Sequence, residues 1–106
     1  MSVDPDLCQS MAEVRAGVDA VDAEIIALVG RRFGYMRAAA RIKTDRSAVR
    51  DEDRKAQVIS AAKAAARAGG VPEPLVAAMW EMLIESSIAY ELALFDRQQS
   101  NSPDRA

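Results

Sequence analysis

The sequence predicts an all-α fold of three helices per chain, with a long N-terminal helix. Three observations carry this. Half of the 106 residues are apolar but only 5% are aromatic, and the abundant alanine favours helix. Residues 10–43 run on with helical spacing and no proline. Polar and Gly/Pro punctuation at 44–53 and 69–74 cuts the remainder into two further helical segments. There is no strand signal, internal repeat or second domain.

The first helix opens at "SMAE", where Ser10 and Glu13 form a capping box, and runs to about Lys43. At the α-helical rise that is roughly 50 Å. "TDRSAVRDED" reads as a loop, and Asp51 as the N-cap of helix two, with acidic residues in its first turn. Helix two, "EDRKAQVISAAKAAARA", stops at Gly69-Gly70, a C-cap signal. "VPEP" opens helix three, which continues to about Gln99. This organises the chain as an arm over 1–9, a helical domain over 10–99 and a frayed tail over 100–106. Val14, Val18, Val21, Ile25 and Leu28 form an apolar row too long for the two shorter helices to cover. Such a seam wants a partner of similar length, and a homodimer with long helices side by side is the simplest solution.

Composition excludes several classes of function. A formal net charge of −2 leaves no nucleic-acid footprint and no polybasic membrane patch. "MSVDPDLCQS" lacks a signal-peptide pattern, and no segment is apolar enough to span a bilayer. The single cysteine, Cys8, cannot form an internal disulfide and reads as an incidental thiol, so a cytoplasmic location is expected. The absence of histidine removes Ser-His and Cys-His nucleophile systems and His-ligated metals. No cofactor or metal is expected, and no phosphate-cradling loop is present. Trp80, the methionines, Tyr35 and Tyr90 read as packing residues. An enzyme built from this chain would work with Arg, Lys, Asp, Glu, Ser and Tyr.

Charged residues interrupt the apolar rows. Arg32 continues the row from Val14 to Leu28, which then passes through Tyr35, Ala39 and Ile42. Lys43 follows Arg32 by eleven residues, about three turns, so the two project from nearly the same side some 16 Å apart. In helix two, Arg54 is in line with Val58, Ala61 and Ala65. In helix three, Ser87 and Glu91 sit in the row Trp80, Ile84, Ser87, Glu91, Leu94. A lone arginine in such a row can snorkel or pair with a core carboxylate. Three helices with the same feature instead point to a polar pocket within a bundle, and its cations to a small anion. Arg15 lies about 25 Å from Arg32 along the axis and about 100° around it. It reaches the same ligand only from the partner of an antiparallel dimer, and otherwise is a solvated surface arginine.

These residues resemble a known family. "EVRAGVDAVDAEIIALVGRRFGYMRAAARIK" is similar to the first helix of the all-helical chorismate mutases, which carry an Arg in the opening, a second Arg and a Lys eleven residues later. "VRDEDR" resembles their loop and helix-two start, and "LIESSIAYE" their helix-three motif, where a Gln follows a Ser by four residues. The resemblance covers residues 10 to about 95. It implies an intertwined helical homodimer with two active sites, each completed by an arginine of the other chain. It also implies a small dicarboxylate substrate, chorismate, rearranged to prephenate for aromatic amino-acid biosynthesis.

Carried over residue by residue, the partner's Arg15, Arg32 and Arg54 would hold the substrate carboxylates and neighbouring oxygens. Lys43 would bind a carboxylate and the ether oxygen. Asp51 and Ser87 match substrate-contacting positions, and Glu91 replaces the Gln that donates to the ether oxygen. Lys43, Glu91 and Arg32 are thereby the candidate catalytic groups. Ionised, Glu91 can only accept hydrogen bonds, so to assist it must carry a proton.

Lys55 stands where many of these mutases have a Glu that reads the ring hydroxyl, and the loop before Arg54 is one residue shorter than in some members. A sister branch, the isochorismate pyruvate lyases, shares the fold and cationic pocket. "GRRFGYMRAAARIK" is very like its corresponding stretch, and Cys8 precedes Arg15 by seven residues as it does there. Isochorismate cleavage to salicylate and pyruvate is therefore the alternative activity. A non-catalytic helical dimer, acting as an interaction module, is the alternative from outside enzymology.

Overall fold

Local capping chemistry sets the start of the first long helix and both ends of the second. In the computed structural model, which describes residues 2–100, helix α1 spans Met11–Ile42, α2 Glu52–Gly69 and α3 Glu73–Ser100. Two single 3-10 turns, Pro5–Leu7 and Arg46–Ala48, precede α1 and join α1 to α2. The described residues contain no strand, so the chain is all-α with a long first helix. Of the expected tail, only Ser100 belongs to the described residues, and it ends α3.

The boundaries follow the expected signals. Ser10 Oγ accepts from the Glu13 N–H at 3.2 Å, while Glu13 Oε1 reaches back to the Gln9 N–H at 3.0 Å. The carboxylate therefore closes its capping box one residue further out than the usual pattern. Asp51 Oδ1 accepts from the Arg54 N–H at 3.0 Å, satisfying an orphan donor at the start of α2. Gly70 takes a left-handed conformation at φ 70°, ψ 25°. Its N–H reaches the Arg67 carbonyl and the Val71 N–H reaches Ala66, the paired bonds of a Schellman turn.

The chain divides between Tyr35 and Met36 into two units. The first holds the N-terminal turn and most of α1. There Val14, Val18, Val21, Ile25 and Leu28 are exposed on the single chain, so the apolar row expected from the sequence exists and is uncovered.

The second unit holds the core. Helices α2 and α3 pack against each other, with Ala66, Val76, Ile84 and Phe95 buried, together with Ala40 of α1 and Val49 of the linker. The continuation of the α1 row through Tyr35 and Ile42 is exposed on the single chain like the row before it, while Met36, Ala39, Ala40 and Lys43 are enclosed. On α2, Arg54, Ala61 and Ala65 are exposed. The face turned inward carries Lys55, Val58, Ile59, Ala62 and Ala66. Tyr35, Met11, Met79 and Met82, expected in packing, are exposed on the single chain as well, and Met1 lies outside the described residues.

Candidate active site

Helix α3 carries two buried polar side chains in an otherwise apolar row. Ser87 is 3% exposed and Glu91 4%, one helical turn apart. Burying a carboxyl is costly unless it is paired. The partner is Lys43, the residue following the last turn of α1, whose Nζ stands 2.8 Å from Glu91 Oε2. The end of α1 sets that reach: the Lys43 N–H still bonds to the Ala39 carbonyl, so its side chain leaves the helix on the face of buried Ala40. The Lys43 side chain keeps 30% of its surface exposed.

Among the described residues, one Glu91 oxygen, Oε2, is engaged. Oε1 accepts no hydrogen bond from the described residues. No fully enclosed side-chain oxygen or nitrogen among them lacks a partner, so Oε1 retains access to solvent. Ser87 Oγ donates to the Leu83 carbonyl at 2.6 Å, a bond back along its own helix. One turn of α3 thus presents a hydroxyl, a carboxyl and a clamped ammonium.

The linker from α1 to α2 is fastened to α3 on both sides of a buried plug. Arg46 makes two bonds to the Asp96 carboxylate, at 2.9 and 3.3 Å. Val49 is buried, and Arg50 forms a bidentate pair with Glu85 at 2.7 and 3.0 Å. The Arg46 guanidinium holds the Asp96 carboxyl below its usual range. Arg50, and after it Lys55, pull the Glu85 carboxyl from its ordinary 4.5 down to about 2.

The predicted site residues fall into two groups. In the second unit, Lys43 and Glu91 are in contact, and Ser87 lies on the same face of α3. Asp51 and Arg54 sit at the start of α2, where Asp51 caps the helix and the exposed Arg54 side chain makes no ion pair among the described residues. In the first unit, Arg15 is exposed on α1 and Arg32 is partly enclosed. Lys55 is committed elsewhere: its Nζ bridges Glu81 at 2.7 Å and Glu85 at 2.9 Å, and both carboxylates raise its pKa, Glu81 the more.

Sequence reasoning passed over Glu81 and Glu85. They lie four apart on α3, a spacing that by itself reads as a solvated charged face. The signal that would have found them is Lys55, a cation falling on the packed face of a helix rich in alanine.

No group of His, Cys, Asp or Glu among the described residues is arranged to hold a metal ion. No helix among them is long and apolar enough to cross a membrane.

A family model described as chorismate mutase type II matches residues 14–92, which includes every predicted site residue. The isochorismate pyruvate lyase of Pseudomonas aeruginosa is 28% identical over 88 residues, spanning 83% of this chain and 87% of that one.

Proposed function

Since the chain belongs to the chorismate mutase type II family, we propose that it is a chorismate mutase converting chorismate to prephenate. The observation that carries this reading is the Lys43–Glu91 pair, a partly exposed lysine held by a buried carboxyl beside Ser87. The reaction breaks one ether C–O bond and forms one C–C bond within a single molecule. It needs no nucleophile, no net proton transfer and no cofactor, which suits a chain without histidine. The protein's task is to hold the enolpyruvyl arm over the ring and to meet the negative charge that grows on the ether oxygen.

Each residue has a place in that task. Arg32, Arg54 and the partner's Arg15 bind the two substrate carboxylates and nearby oxygens. Lys43 donates to a carboxylate and to the ether oxygen. Glu91, whose Oε2 accepts from Lys43, stands where the family's Gln donates to that oxygen. Ser87 and Asp51 line the pocket, Asp51 through the α2 start that it caps. Four cations against two carboxylates leave positive charge for the transition state.

The exposed row from Val14 to Leu28 supports a homodimer with paired α1 helices, the arrangement that would bring Arg15 to the neighbouring site. The work belongs to aromatic amino-acid biosynthesis in the cytoplasm. Removing Arg32 separates this reading from a non-catalytic module. Arg32→Ala should lower kcat/KM at least a hundredfold while the helical circular-dichroism signal and dimer mass persist. Loss of helix with no separate loss of ligand binding would make Arg32 structural and contradict the site.

A second reading, isochorismate pyruvate lyase, is favoured by the similarity to the Pseudomonas aeruginosa enzyme over most of both chains. The same cations would bind isochorismate, and the reaction again needs no cofactor. The two readings part on which substrate is consumed.

A further inference from the structure

We propose that Glu85 is a positioning residue of this site, the carboxylate that fixes Arg54 and Asp51 relative to Ser87 and Glu91. The proposal rests on the site assignment above and deepens it. One carboxyl group takes three bonds. Glu85 Oε1 accepts from Arg50 Nη2 at 2.7 Å, while Oε2 accepts from Arg50 Nη1 at 3.0 Å and from Lys55 Nζ at 2.9 Å. Arg50 and Lys55 bracket Asp51 and Arg54 in the chain. Glu85 therefore grips the opening turn of α2 from both sides of the two residues that face substrate.

The other end of the grip is equally short. Glu85 stands two residues before Ser87 and six before Glu91 on one helix, so a shift of the α2 start against Glu85 is a shift against both. Neighbouring charges reinforce the junction. Arg50 Nη1 also pairs with Glu52 at 2.9 Å, and Lys55 Nζ with Glu81 at 2.7 Å. Bidentate arginine pairing fixes direction as well as distance, which a single lysine contact does not. Lys55, with only 15% of its side chain exposed and two carboxylates on its ammonium, is a strut of the same junction and not a substrate ligand. A carboxyl held near 2 keeps its charge across the working pH range, so the junction does not loosen by titration.

An arginine that reaches substrate from a helix end loses effect when that end moves by about an ångström. The test is a double-mutant cycle on whichever of chorismate and isochorismate the wild-type protein consumes. Glu85→Gln is expected to lower kcat/KM about tenfold, mainly through KM, with helicity retained. In the Arg54→Lys background the same change is expected to cost less than twofold, because the arginine it positions is already gone. Glu73→Gln is the control. It removes the Arg67–Glu73 pair at 2.7 Å, an exposed contact of the same kind at the far end of α2, and should leave kcat/KM unchanged.

Losses from Glu85→Gln and Arg54→Lys that multiply would overturn the proposal, as would a Glu85→Gln protein with a lower Tm and unaltered kcat/KM. If Glu85→Gln does not fold, Arg50→Gln removes one arm of the grip and is read in the same cycle. A wild-type protein silent on both substrates would overturn the functional reading and the positioning role together. An active wild type indifferent to Glu85→Gln overturns the positioning role alone.

Discussion

Glu91 is the residue on which the chemistry turns. Its Oε2 is bound to Lys43 and its Oε1 is the atom left to meet a ligand. As a carboxylate it can only accept, whereas a carboxylic acid or an amide can donate. Glu91→Gln should therefore keep or raise kcat/KM for prephenate formation, because its carbonyl can still accept from Lys43 while its amide donates to the ether oxygen. A large loss of activity in that variant, with helicity retained, would remove the donor role from this position. Ser87 and Glu91 were legible in the sequence because a polar residue in an apolar row at helical spacing is a local contradiction. Glu85 was not, since its meaning depends on Arg50 and Lys55, 35 and 30 residues away in the chain.

At the scale of the helices, boundaries were legible because caps are local. Asp51, Gly70 and the Ser10–Glu13 box act within five residues of themselves, and the structure places helix ends within one or two residues of the sequence reading. Gly70→Ala tests the C-cap. The added methyl meets no heavy atom within 4 Å, so the cost is conformational, from holding a side chain at φ 70°. It should destabilise the protein by about 1–2 kcal/mol, read as a lower urea midpoint at constant m-value, and an unchanged midpoint would contradict the cap. Helix faces were harder to read. In α2, alanines at 61, 62, 64, 65 and 66 leave no contrast around the helix, so the inward face is set by what α3 presents. In α1, a straight helix drifts about 20° per heptad from a 3.5-residue repeat. By the end of the helix the enclosed residues are Met36, Ala40 and Lys43, while Tyr35 and Ile42 are exposed on the single chain.

The whole molecule is governed by the uncovered apolar row of α1. Val14, Val18, Val21, Ile25 and Leu28 are all exposed on one chain, along with Ile26 and Met11. Contiguous apolar surface of this extent marks an interaction face, and the dimer we propose covers it with its own copy. Ile25→Glu should then convert a sedimenting dimer to monomer and abolish turnover, since the partner's Arg15 would be lost with it. A variant that keeps dimer mass would place the interface elsewhere. The sequence carried the length of this seam but not its covering, which is a property of two chains. Above all of these stands the identity of the reaction, because family membership is common to mutase and lyase. The most direct measurement gives purified protein chorismate and isochorismate separately, following prephenate from the first and salicylate from the second. The account predicts efficient prephenate formation with salicylate no more than a side product. Rapid salicylate release with slow or absent prephenate would contradict it and make the protein a lyase.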